Sequence, residues 1–156
     1  MNIRLIAAGR LKEHYLKEAF DEYKKRLSAY CSFSAAEIQA EPILDESLSE
    51  KYIEIEADRI LRVLKPDSYV ISLEINGCRL SSEKFAQKLK EIINQGVNDI
   101  CFITGGANGL SSRISSIANF RLSFSDMTFT HQMMRILLAE QLYRAFKINA
   151  GEPYHR

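Results

Sequence analysis

The chain has 156 residues, 46% hydrophobic and 26% charged, an ordinary balance for a soluble globular protein with room for a real core. Its formal net charge of +1 argues against a domain that grips nucleic acid by charge alone. No apolar run is long enough to cross a bilayer, and the opening "MNIRLIAAGR" lacks a leading basic region and a cleavage site, so it reads as a strand and not a signal peptide. The three cysteines, Cys31, Cys78 and Cys101, are odd in number and lack CxxC spacing. They point to reduced thiols of a cytoplasmic protein, not to a disulfide frame or a zinc site.

Charge is less even than its sum. Residues 37–58 carry eight acids and one lysine, whereas 106–156 carry six Lys/Arg and three acids. The mildly basic C-terminal third suits an anionic partner, or simply a solvated surface.

In chain order, "NIRLIAA" (2–8) reads as a strand closed by Gly9. Over 13–30, Leu16, Ala19, Phe20, Tyr23 and Leu27 fall at helical spacing. "FSAAEIQ" (33–39) is a weaker strand. Ser47 with Glu50 three residues on predicts a capping box, opening a helix that runs to about Leu64. "YVISLEI" (69–75) is a β-branched strand followed by the turn signal "NG". Ser81 or Ser82 caps a helix through about Asn94, and Gly96 ends it. "DICFIT" (99–104) is a strand, 111–118 a short helix, "RLSFS" (121–125) a fifth strand, and 131–148 the last helix. This alternation predicts an α/β fold with a mostly parallel sheet and helices on both faces. Ligands in such sheets sit beyond the C-terminal ends of strands, which singles out the loops after Leu73, Thr104 and Ser125.

The loop after the fourth strand reads "TGGANGL". Its glycines allow close backbone approach to a ligand, or only a tight turn. Neither GxGxxG nor GK[ST] is present. The loop "SFSDMTFTHQ" is rich in hydroxyls, with Thr130 as the N-cap of the next helix. In that helix, "HQMMRILLAEQLYRAFKI", apolar side chains cover nearly the whole circumference. Such a helix must be buried on more than one side; its own sheet covers one, and a second subunit is the expected cover for the other. Arg135 lies on a strip flanked by Leu138 and Leu142 and is either paired inside the protein or aimed at an anionic ligand. The three histidines show no metal-ligand spacing and no GxSxG elbow occurs. Chemistry without a metal or a covalent nucleophile fits best.

The stretches "FITGGANGL", "LSFSDMTFTHQMMRILLAEQLYRAFKI" and the terminal "GEPYHR", with "IAAGRLKEHY" and "VISLEINGCRLSSE", closely resemble one family over essentially the whole chain. This is the SPOUT-class 23S rRNA (pseudouridine-N3) methyltransferase H family. The resemblance implies a single domain over 1–156, with an α/β knot in which the C-terminal segment threads a loop. It implies a cytoplasmic homodimer using S-adenosyl-L-methionine. The substrate would be large-subunit rRNA within the ribosome, methylated at N3 of a pseudouridine in the helix 69 loop. Cofactor contacts would come from Leu73, Gly105, Gly106, Phe124, Ser125, Asp126, Met127, Thr128 and Phe129. Tyr154, His155, Arg156 and Arg135 would form the catalytic set at the rim of that site. Tyr154 would stack on the base, Arg156 would contact phosphate and His155 would accept a proton. Two departures stand out: Thr130 precedes the His-Gln pair where members often have Pro, and Glu56-Ala57 stands where Glu-Gly is common. A nucleotide- or NAD-binding α/β domain and a ribosome-associated dimer without catalysis remain the alternative readings.

Overall fold

The computed structural model describes residues 1–42 and 46–154. Five strands, β1 (Asn2–Ala8), β2 (Ser32–Ile38), β3 (Tyr69–Arg79), β4 (Asp99–Thr104) and β5 (Phe120–Ser123), form one sheet in the order β2-β1-β4-β3-β5. Every pairing is parallel. All strand C-termini therefore point to the same edge.

The two-residue period of the strands feeds two cores. Ile3, Leu5 and Ala7 of β1, Ile71 and Leu73 of β3, and Ile100 and Phe102 of β4 face one side. Ile6 and Ala8, Val70, and Cys101 and Ile103 face the other. The first side is covered by α1 (His14–Leu27), α3 (Ser82–Asn94) and α5 (His131–Asn149). The second is covered by α2 (Ser49–Val63) and α4 (Ser112–Ile117). The predicted α/β architecture with helices on both faces is the one observed.

Some local expectations are corrected. The capping box at Ser47 does not open α2. A 3₁₀ turn over Glu46–Leu48 leads in, and Leu48 is the N-cap residue, with no side-chain cap. The "NG" after β3 does not end the strand. Leu73 and Cys78 both pair with Leu122, so residues 74–77 bulge out and β3 resumes to Arg79. Gly77 permits this, because a Cβ there would lie 2.6 Å from the Leu122 carbonyl carbon.

The all-round apolar character of α5 has a cause within the chain. The helix lies between α1 and α3 on the sheet, and Leu138, Ala139 and Leu142 are fully buried. Tyr30 at the end of α1 stacks on Phe146, with centroids 5.4 Å apart. The cover expected from a second subunit is thus largely supplied by two neighbouring helices. Met133 stays exposed at the N-terminal end of α5.

Candidate functional site

Beyond the C-terminal ends of β3, β4 and β5 lies a cleft of about 830 Å³. That size suits a cofactor-sized ligand. Its walls are the β3 bulge, the glycine loop after β4, the segment from β5 into α5, and the start of α1.

The glycine loop is closed on itself. Gly106 and Gly109 form an antiparallel bridge, and the Gly109 N–H donates to the Gly106 carbonyl at 3.1 Å. A Cβ on Gly105 would sit 2.1 Å from the Gly109 oxygen. Behind the loop stands Glu56, only 2% exposed. Its carboxylate accepts from the Glu41 N–H at 2.8 Å and the Gly106 N–H at 3.4 Å. A Cβ on Gly106 would meet both carboxylate oxygens at 3.0 Å. Backbone without side chains is therefore what the site requires on both sides of this turn.

Burial pushes the Glu56 carboxyl up, against the two amides that favour its charged form. The native state thus holds this proton more tightly than the unfolded chain. The group's contribution to stability is full at acid pH and is lost as pH rises through its folded titration. Glu56→Gln is expected to flatten that segment of the stability profile. Urea midpoints of wild type and variant between about pH 4 and 7 check this, and parallel profiles would refute it.

In the β5–α5 segment, Ser123 Oγ donates to the Ser125 carbonyl at 3.3 Å, and Ser125 Oγ accepts from the Met127 N–H at 2.9 Å. Thr130 caps α5 as predicted, its Oγ1 accepting from the Met133 N–H at 3.2 Å. On the opposite wall, Ser72 Oγ donates to Glu74 at 2.5 Å, and Arg121 pairs with the same carboxylate at 3.4 Å. His131, half-buried at the first position of α5, lines the cleft. Burial lowers its pKa first, and the cations of Arg135 and Lys12 add to that. Both effects favour the uncharged imidazole.

The fold brings Leu73, Gly105, Gly106, Phe124, Ser125, Met127, Thr128 and Phe129 together around this cleft. Asp126 does not line it: the side chain is 72% exposed and ion-paired with Arg79. Arg135 lies beside the cleft with its guanidinium already engaged. It donates to Glu37 at 2.7 Å, to the Ala8 carbonyl at 3.0 Å and to the Gly9 carbonyl at 2.6 Å. Of the two options left open by the sequence, the internal pairing is the one present. Tyr154 is not at the rim of its own chain's cleft. It packs edge-on against Tyr143 at 4.8 Å, with the Arg144 guanidinium 4.9 Å from its ring. Tyr143 lies 12 residues along α5 from His131, about 18 Å at 1.5 Å per residue, so the Tyr154 ring beside it stands well away from the cleft. His155 and Arg156 lie outside the described residues.

Several wall residues escaped the sequence reading. Glu56, behind the wall, was noted only as part of the Glu56-Ala57 pair and given no site role, since its partners are backbone amides distant in sequence. Glu74, Ile75 and Asn76 enter through the bulge, for which Gly77 was the available clue. Glu13 and Tyr15 enter because β1 also ends at this edge, marked by Gly9.

Buried Cys31 and Cys101 have thiols pushed up to about 11 and about 12, which makes them inert. Among the described residues no group of His, Cys, Asp and Glu is arranged to hold a metal ion, and no helix is long and apolar enough to cross a membrane.

Comparison with known proteins fits this geometry. The family described as "Predicted SPOUT methyltransferase" matches residues 1–155. The chain is 49% identical over 160 residues to the putative ribosomal RNA large subunit methyltransferase H of Methanococcus maripaludis and to the ribosomal RNA large subunit methyltransferase H of Clostridioides difficile. Both alignments cover the full length of each chain. A probable methyltransferase from Bordetella pertussis shares the fold at a TM-score of 0.60 and 12% identity, over 92% of this chain and 93% of that one. The tRNA (m1G37) methyltransferase of Aquifex aeolicus does so at 0.56 and 14% identity, over 92% and 69%. With its cleft at the same edge as its glycine loop, and with relatives of this identity over their whole length, the chain belongs to the SPOUT methyltransferase family.

Proposed function

We propose that the protein transfers a methyl group from S-adenosyl-L-methionine to N3 of a pseudouridine in the helix 69 loop of 23S rRNA, on the assembled ribosome in the cytoplasm. The observation that carries this reading is the convergence of three loops, from Leu73, Gly105–Gly106 and Phe124–Phe129, on one cleft. The names of the full-length relatives supply the substrate class.

The residues present fit the cofactor. The glycine loop offers backbone with no Cβ in the way, and Leu73, Phe124 and Phe129 offer apolar walls. When bound, S-adenosylmethionine supplies an already activated sulfonium methyl. The protein's tasks are then to align the acceptor nitrogen and to remove one imide proton. No nucleophilic side chain is required. Asp126 contributes by holding Arg79 and so the end of β3. Arg135, held by Glu37 and the Ala8 and Gly9 carbonyls, acts by positioning the end of β1.

The catalytic tail belongs to a second copy. A homodimer that sets Tyr154, His155 and Arg156 of one chain against its partner's cleft resolves the distance along α5. In this arrangement Tyr154 stacks on the base, His155 accepts the proton and Arg156 contacts phosphate. The family's knotted threading of the C-terminal segment, within one domain over 1–156, is part of this proposal.

Transfer of labelled methyl to purified ribosomes carrying the pseudouridine tests it, with free rRNA and separate subunits as controls. Label is expected in large-subunit rRNA and is expected to vanish on truncation after Glu152. Label that survives truncation removes the role of the tail. Failure to bind S-adenosylmethionine at all sinks the reading.

A further inference from the structure

We propose that the segment joining β1 to α1 is the RNA-facing lip of the cleft: Tyr15 stacks on a base of the substrate loop, while Arg10 and Lys12 take phosphates beside it. This rests on the rRNA methyltransferase reading above and adds a contact surface separate from the tail.

The backbone of the lip is clamped by side chains from other elements. Gly9 turns the chain at φ +83, and its carbonyl accepts from Arg135 at 2.6 Å. The Leu11 N–H donates to Glu37 at 3.1 Å, and the Lys12 N–H donates to Gln132 at 2.8 Å. Glu37 comes from β2, and Gln132 and Arg135 from α5. A surface connection held at three successive points is built to present something.

None of these clamps uses the side chains of Arg10, Lys12 or Tyr15, and all three residues are exposed. Neither Arg10 nor Lys12 has an ion-pair partner among the described residues. By contrast Arg79 and Arg121, whose partners Asp126 and Glu74 lie in the loops around the cleft, are each matched to a carboxylate. Tyr15 lines the cleft and, at 63%, is the most exposed aromatic residue among those described. A solvent-facing ring at the cleft, with two unpaired exposed cations five and three residues before it in the same clamped segment, is the chemistry that holds a single-stranded nucleotide. At a net charge of +1, two free cations on this segment weigh more than their number suggests. Glu13 is the one acid of this segment that faces the cleft. It disfavours an anion deep in that wall and leaves phosphate to the outer edge.

The test measures ribosome binding directly, by co-sedimentation over a series of salt concentrations, alongside the KM for ribosomes. Wild type is compared with the Arg10→Ala, Lys12→Ala double variant, with Tyr15→Leu and with Tyr15→Phe. The double variant is expected to bind about tenfold more weakly at low salt. The slope of log affinity against log salt should fall by about 1.4, the release expected for two phosphates of a single strand. Tyr15→Leu should lose about tenfold in affinity, and Tyr15→Phe should keep it, because the ring and not the hydroxyl does the stacking. Oligomeric state should not move in any variant, and S-adenosylmethionine affinity should not move in the Arg10→Ala, Lys12→Ala double variant. Unchanged ribosome affinity and slope would overturn the proposal. So would a variant that instead dissociates the oligomer, which would give the lip to a second copy, or a double variant that loses cofactor affinity. Wild type that binds ribosomes but transfers no methyl would sink the proposed function and leave the lip to be judged on binding alone.

Discussion

Gly105→Ala is expected to weaken S-adenosylmethionine binding by about a hundredfold, about 3 kcal/mol, in a chain that still folds. The added carbon would meet the Gly109 oxygen at 2.1 Å and its carbonyl carbon at 2.5 Å. Both atoms are backbone, so no rotamer change relieves the clash. The Gly106–Gly109 bridge must open, and the loop loses the path that brings it against the cleft. Strain of about 1–3 kcal/mol falls on the loop, while the two cores beneath it are untouched. Calorimetric titration of the cofactor, with far-UV circular dichroism to monitor the fold, measures the effect. Gly96→Ala is the control: Gly96 sits at positive φ, as Gly105 does not, and the space around it is open. It should cost stability of about 1 kcal/mol and leave binding unaltered. Wild-type affinity in Gly105→Ala would remove the glycine loop from the cofactor site.

The second large effect is on stability. Arg135→Ala should cost about 3 kcal/mol, because it empties a fully buried site and strips a donor from two backbone carbonyls, about 1–3 kcal/mol for each group left unsatisfied, while Glu37, 37% exposed, can turn to water. The arginine is 1% exposed and is the largest fully buried side chain. Its removal takes this donor from the Ala8 and Gly9 carbonyls and from the Glu37 carboxylate, which keeps the Leu11 N–H. Arg135→Lys should recover only part of the loss, since one ammonium cannot reproduce the planar fork that serves three acceptors. Urea unfolding midpoints report both. A loss below about 1 kcal/mol in Arg135→Ala would mean that water replaces the guanidinium at the end of β1.

The strands were legible because their apolar alternation is local. Asn2–Ala8 and Asp99–Thr104 match the sequence reading residue for residue. The adjacency of β1 and β4 was not legible, since nothing near either strand encodes a partner about 97 residues away. The cap of α2 was misread because Ser47 and Glu50 fit a local pattern that the 3₁₀ turn overrides. The apolar girdle of α5 was read correctly as deep burial, but its flanking by α1 and α3 was not legible, because sequence periodicity cannot tell which helices flank a face. Within the cleft, Gly105, Gly106 and the hydroxyl-rich segment stood out through composition and family likeness. Asp126 carried the same signal, yet its nearest cation turns it outward. Tyr154 was placed at the rim through family likeness, whereas within its own chain it packs beside Tyr143, away from the cleft.

The detour in β3 has a thermodynamic consequence. Leu73 and Cys78, the two feet of the bulge, are both registered on Leu122, and β3 continues beyond it. Residues 74–77 are therefore a short arch fastened at each end, unlike a free loop. Fixing one residue's backbone costs about 1–2 kcal/mol, and here that cost is met when the sheet forms. A molecule that settles against Glu74, Ile75 and Asn76 meets chain whose freedom is already spent, and its affinity is correspondingly less diluted by ordering entropy.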